Sequence, residues 1–214
     1  MSSVAIIDYG MGNLHSIAKA LQHAEPATKV LISADPAIIL AAERVVFPGV
    51  GAIRDCMQAL NDTGLAAIVR ETAASKKPLL GICLGMQALL TDNEENNHSQ
   101  CLDIIPGHVV RFQEGIVDAQ GYRLKIPHMG WNHVQQLPHP LWENIPQHTR
   151  FYFVHSYYAK PDNQAAVVAS ADYPTAFACA LAQDSIFAVQ FHPEKSHTAG
   201  LQLLKNFLHW DGSI

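Results

Sequence analysis

The sequence predicts an α/β fold: a single-domain, three-layer architecture over residues 1–214, with a mixed, mostly parallel central sheet and helices on both faces. Three observations carry this. Over the first 90 residues, short apolar runs of strand length alternate with helically spaced segments, the mark of parallel strands covered on both faces. Beyond residue 100 the strand-like runs follow one another without helices, which predicts antiparallel strands extending the sheet. No repeat or linker interrupts the 214 residues, a length that one core can serve.

The elements follow in order. Val4-Ala5-Ile6-Ile7-Asp8 is a buried strand by its continuous apolar run, and Tyr9 to Asn13 is a loop with two glycines. Leu14 to His23 has apolar residues at 14, 17, 18 and 21, which is helical spacing. Val30-Leu31-Ile32 and Val45-Val46-Phe47 are the next strands, separated by a short helix from Pro36, and Pro48-Gly49-Val50-Gly51 ends the third strand. A further helix starts after Asp62-Thr63 as its N-cap and closes at Lys76-Lys77, before Pro78. Residues 79–82 form a strand leading to a sharp turn and a short helix from Leu84. Asp92 to Gln100 is a polar, acidic loop. Strand character then returns at 109–112, 151–154, 166–168, 176–178 and 186–189. A last amphipathic helix, about Ala199 to Leu208, has apolar residues at 201, 204, 207 and 208.

The turn carries the chemistry. Gly81-Ile82-Cys83-Leu84-Gly85 is G-x-C-x-G, the cysteine form of a nucleophile elbow, in which a strained strand-to-helix turn exposes a side chain and glycines admit close backbone approach. A helix starting at Leu84 places free N–H groups beside the sulfur and favours thiolate. A nucleophilic thiol needs a base and a group to orient the base. Gln190-Phe191-His192-Pro193-Glu194-Lys195-Ser196 supplies both directly after a strand: His192 as general base and later acid, and Glu194, two residues on and on the same side if the segment stays extended, to hold its ring. Pro48-Gly49-Val50-Gly51 can turn a peptide N–H toward a developing oxyanion, with a second donor at Leu84 N–H; taken on its own, the segment reads first as a plain strand-to-helix turn. The chain order Cys, His, carboxylate differs from the nucleophile, acid, His order of α/β-hydrolases and argues against an esterase or lipase.

Composition narrows the rest. The net charge of −5 and the absence of any basic cluster longer than Lys76-Lys77 give no case for nucleic acid. Charged residues are 15% of the chain, against about 25% in an average soluble domain, which points to surface hidden against another protein, with a core rich in small residues as the other source of the deficit. The opening apolar run ends at Asp8, too short for a signal peptide, and no stretch approaches a membrane span, so a cytoplasmic protein is expected. The four cysteines lack CxxC spacing and read as thiols, with Cys56 and Cys179 inert in apolar surroundings. Twelve histidines show no paired-ligand spacing, so no metal site is expected.

GICLGMQ together with QFHPEKS resembles the triad, or class I, glutamine amidotransferases. Within that class the chain resembles the glutaminase subunits of imidazole glycerol phosphate synthase, through residues 7–14, Phe47 to Gly51, Ile126-Pro127-His128-Met129-Gly130-Trp131-Asn132 and Phe151 to Tyr158. The loop around Asp92 to Asp103 departs from the pattern. The resemblance implies a class I amidotransferase fold and a catalytic triad of Cys83, His192 and Glu194. It implies glutamine hydrolysis through a cysteinyl thioester, with Gly49, Val50 and Leu84 forming the oxyanion hole. It assigns glutamine binding to Gly51, Gln87, His155, Ser156 and Tyr157. It implies ammonia transfer to a (β/α)8-barrel cyclase subunit in a heterodimer, with Asn13, Trp131 and Lys195 at the interface. The cyclase forms imidazole glycerol phosphate and aminoimidazole carboxamide ribotide in histidine biosynthesis. No cofactor is implied. In such proteins the Gly49–Val50 peptide must reorient before the oxyanion hole is complete. Two other readings stay open: a glutaminase of anthranilate or guanylate synthesis, against which DYGMGN and PHMGWN speak, and a non-catalytic partner or thiol sensor, against which the intact triad speaks.

Overall fold

The computed structural model describes residues 3–117 and 120–213; the ends of the expected 1–214 domain and residues 118–119 lie outside them. The chain runs β1 (Ser3–Ile7), α1 (Leu14–Ala24), β2 (Lys29–Ser33), α2 (Pro36–Ala41), β3 (Arg44–Gly49), α3 (Ile53–Asp62), α4 (Leu65–Ala74), β4 (Leu79–Cys83) and α5 (Leu84–Ala88). It continues through β5 (Asp92–Asn93), the short turn α6 (Glu95–His98), β6 (Ser99–Gln100), β7 (Gly107–Arg111), β8 (His128–His133) and β9 (Gln135–Gln136). Then come β10 (Arg150–His155), β11 (Tyr157–Pro161), β12 (Val167–Asp172), β13 (Ala176–Gln183), β14 (Ile186–Val189) and α7 (His197–His209).

The main sheet has the order β2-β1-β3-β4-β14-β13-β11-β7-β5-β6. β2, β1, β3, β4 and β14 are mutually parallel, and β13, β11 and β7 extend them antiparallel, as the change of pattern along the chain predicts. Side chains of a strand alternate between faces, so each parallel strand feeds two cores. Val4 and Ile6 pack with α1 and α7 through Ile17, Leu21, Leu204 and Phe207. Ala5 and Ile7 pack on the other face with α2 to α5 through Ile39, Ile53, Leu60 and Val69. Helix, sheet, helix is the expected three-layer order. No helix among the described residues is long and apolar enough to cross a membrane.

Three expectations need correction. Asp62 does not cap a helix start: it ends α3, Thr63 donates its hydroxyl to Ala59 O at 2.7 Å, and the left-handed Gly64 (φ 72°) opens α4. The strand at 151–154 does not join the main sheet; β10 pairs antiparallel with β8 in a separate two-stranded sheet. The 186–189 strand is no simple antiparallel extension, since β14 lies parallel to β4 and antiparallel to β13, at the seam of the two halves. The acidic loop is also more built than expected. β5 pairs with β6 and runs parallel to β7, and Asn93 is fully buried.

Candidate active site

β4 rises between β3 and β14, and the chain turns at Cys83 directly into α5. Cys83 has φ 54° and ψ −110°, a region that side chains other than glycine seldom occupy, so the turn is strained. That strain lets the sulfur leave the sheet at its carboxyl end while Leu84 already begins a helix. Gly85 shows why the motif has a glycine there: a Cβ would lie 2.0 Å from Phe47 O, and α5 could not seat against β3.

His192 follows β14 after Gln190 and Phe191 and is itself extended (φ −103°, ψ 99°). The chain then forms a 3-10 turn over Pro193–Lys195, not the fully extended segment expected, and this turn brings Glu194 back under the imidazole. His192 Nδ1 lies 2.9 Å from Glu194 Oε1 with both side chains buried. Ser196 Oγ donates to His192 O at 2.7 Å and accepts Tyr152 N–H at 3.0 Å, which ties the turn to β10. Burial opposes charging of His192, but the sulfur of Cys83 and the carboxylate of Glu194 overcome it and hold the imidazole up at about 9. Its Nε2 is buried without a partner in full hydrogen-bond geometry, and so is Glu194 Oε2.

Cys83, Leu84, His192 and Lys195 line one cavity of about 390 Å³, together with Val50 and Gly51 from the loop after β3. Gln87 of α5 and the His155-Ser156-Tyr157 corner between β10 and β11 complete its walls. Ten of the residues expected from the sequence thus meet in one place, and Glu194 stands behind His192. Gly49 is set back, paired with Cys83 at the end of β3. Asn13 precedes α1, and its backbone carbonyl accepts Ile17 N–H at 3.2 Å. Trp131 is 42% exposed and stacks on His197 at 4.9 Å with an interplanar angle of 7°, so it is a surface residue. Lys195 sits 6.0 Å from the Tyr152 ring centroid, and that ring in turn packs edge-on to Trp131.

Sequence reasoning missed Glu95, Pro127 and Val154, which also line the cavity. Glu95 lies in the segment read only as a polar, acidic loop. Its Oε2 caps α3 by accepting Ile53 N–H at 2.8 Å. The wall behind the His155 corner is a chain of buried histidines. His155 Nδ1 is 2.8 Å from Tyr157 O, which can only accept, so His155 Nε2 is left to accept from His128 Nδ1 at 2.9 Å. Burial lowers His128 to about 4 and His155 to about 3, so both are neutral. The other cysteines are unsuited to chemistry at neutral pH. Burial pushes Cys56 up to about 11, Cys101 up to about 12 and Cys179 higher still.

With this geometry established, likeness to known proteins is informative. Residues 5–210 match the family model described as glutamine amidotransferase class-I. Over 213 residues the chain is 62% identical to the imidazole glycerol phosphate synthase subunit HisH of Methylococcus capsulatus, covering 99% of this chain and 98% of that protein. The corresponding subunit of Nitrosococcus oceani is 58% identical, with 99% of each chain covered. Among solved structures, a putative GMP synthase protein from Thermoplasma acidophilum superposes with TM-score 0.70 at 20% identity, covering 98% of this chain and 93% of that one. A further glutamine amidotransferase structure gives TM-score 0.72 at 16% identity, over 96% of this chain and 97% of that one. These two likenesses show a common fold.

Proposed function

This chain belongs to the class-I glutamine amidotransferases, within the glutaminase subunits of imidazole glycerol phosphate synthase, and from that premise we propose how its residues divide the work. The family activity is release of ammonia from glutamine for histidine biosynthesis. The observation carrying the assignment is that Cys83, on its strained elbow, shares a cavity with a His192 backed at 2.9 Å by Glu194.

Cys83 Sγ, its proton already carried by the charged His192, attacks the γ-carbonyl carbon of glutamine. The tetrahedral oxyanion forms against the N–H groups of Leu84 and of the Gly49–Val50 peptide. His192 passes its proton to the departing nitrogen, the C–N bond breaks, and ammonia leaves a γ-glutamyl thioester. Water, deprotonated by His192, attacks the thioester; the C–S bond breaks and glutamate departs. Glu194 holds the ring and stabilises the imidazolium in both halves. Gly51, Gln87 and the His155-Ser156-Tyr157 corner cradle the amino-acid end of glutamine, and the Glu95 carboxylate complements its ammonium group. The organic chemistry needs no cofactor.

Ammonia in water is protonated and lost, so we assign the receiving partner to the mouth of the cavity. The Asn13, Trp131 and Lys195 surface docks a (β/α)8-barrel cyclase in a cytoplasmic heterodimer, and residues 1–214 act as one domain. An exposed tryptophan is the kind of anchor interfaces favour. The Gly49–Val50 peptide completes the oxyanion hole once the loaded partner binds. Glutamine hydrolysis by the isolated chain, and by the chain with cyclase and its nucleotide substrate, tests this: the rate rises by a factor of about 10 or more, toward the order of one oxyanion-hole donor. Full turnover by the isolated chain would remove the gating.

A further inference from the structure

Gln190 has no task in the mechanism above, yet its side chain is fully buried beside the nucleophile. Its Nε2 lies 3.8 Å from Cys83 Sγ, and its Oε1 accepts from Gln87 Nε2 at 3.0 Å. Gln87 Nε2 also donates to Tyr157 O at 3.1 Å, while Gln87 Oε1 accepts from Asn93 Nδ2 at 3.2 Å. Asn93 Oδ1 accepts Glu95 N–H at 2.9 Å. Three buried amides therefore stand in series, Asn93, Gln87 and Gln190, and the series ends on the sulfur.

An amide side chain can in general present either its oxygen or its nitrogen, and a network decides which. Here backbone groups decide at both anchors. Tyr157 O can only accept, so the Gln87 atom facing it is the NH₂. Glu95 N–H can only donate, so the Asn93 atom facing it is the oxygen, and its NH₂ turns to Gln87 Oε1. With Gln87 fixed, the Gln190 atom facing Gln87 Nε2 must be Oε1. The group left for Cys83 is then an N–H.

We propose that Gln190 is a further catalytic residue, an N–H donor to the Cys83 sulfur whose orientation is locked by Gln87 and Asn93 as positioning residues. The proposal rests on reading Cys83 as the nucleophile. A donor aimed at sulfur favours its anionic form and strengthens as charge builds there. The chain also gives the loop at 92–100 a role: its buried residue, Asn93, anchors the far end of the series. Gln87 then serves the nucleophile, with both amide hydrogens already committed, as well as lining the glutamine cavity.

The test follows iodoacetamide alkylation of Cys83 in the full chain across pH, by peptide mass spectrometry, with glutaminase kinetics of the complex with the cyclase. Gln190→Met keeps length and removes the donor; Gln190→Glu keeps shape and puts an acceptor at the sulfur. We expect the alkylation profile to move to alkaline pH in the order Gln190→Glu, then Gln190→Met, then the native chain. We expect kcat to fall about tenfold or more, with KM for glutamine changing less. Should a Gln190 variant not fold, Asn93→Ala, remote from the sulfur, moves the profile the same way by a smaller step. A folded Gln190→Met or Asn93→Ala protein whose profile overlays the native one overturns the donor chain, as does a fall in kcat with the profile unmoved. Glutaminase activity in Cys83→Ala would instead overturn the nucleophile assignment beneath it.

Discussion

His192 is held between two groups that favour its charged form, and the carboxylate below it is as buried as the imidazole. Glu194→Gln keeps the shape of that support and removes its charge, so the imidazolium loses its counterion and Nδ1 can be presented with a donor instead of an acceptor. We expect kcat of glutamine hydrolysis to fall about 10² to 10⁴-fold with KM changing far less; steady-state kinetics of the complex check it, and an unchanged kcat would remove Glu194 from the triad. At this scale the meeting of Cys83, His192 and Glu194 was readable because each sits in a short motif whose spacing reflects local geometry. Gln190 was not, although it is the first residue of the same heptapeptide. Its function depends on Gln87 and Asn93, brought to it by tertiary folding, and nothing local marks an amide as buried.

Among the elements, the elbow depends on a helix and a strand that nearly touch. Gly85→Ala would drive a methyl carbon to within 2.0 Å of Phe47 O, a backbone atom that cannot swing aside. The expected cost is about 1–3 kcal/mol, read as a lower Tm and as lost activity from a displaced Leu84 N–H. Native stability in that variant would mean the elbow is less closely packed than described. Strands β1 to β4, β7, β10 and β12 to β14 were legible as apolar runs, α1 and α7 from their periodicity and α2 from Pro36, whereas β8, β11 and the helix α3 were not read at all. Ile53, Cys56, Met57 and Leu60 have helical spacing, but Ala52 offers no capping side chain. The cap is Glu95 Oε2, from a loop 42 residues away, so no local start signal exists. The β8–β10 pair was hidden twice over: residues 128–133 were not read as a strand, and the pattern of β10 does not say which partner it will take.

For the whole molecule, buried histidines shifted in opposite directions should shape stability against pH. His192 binds its proton more tightly folded than unfolded, so its contribution is full below about 6.5 and is lost as pH rises toward 9. His128, His139 and His155 are held neutral by burial at about 4, 4 and 3, so their contribution is lost as pH falls below 6.5 toward those values. Urea unfolding at pH values of about 5, 6.5 and 9 should find the highest stability at the middle value, and His192→Gln should flatten the alkaline side alone; equal stability at all three would contradict these shifts. At the centre stands the claim that Cys83 attacks glutamine while the ammonia it releases serves a separate site. Its most direct measurement is product formation by the Cys83→Ala chain with the cyclase and its nucleotide substrate, supplied with glutamine or with an ammonium salt. Glutamine-dependent synthesis should disappear while ammonium-dependent synthesis continues at the native rate. Synthesis from glutamine by the Cys83→Ala chain would refute the claim.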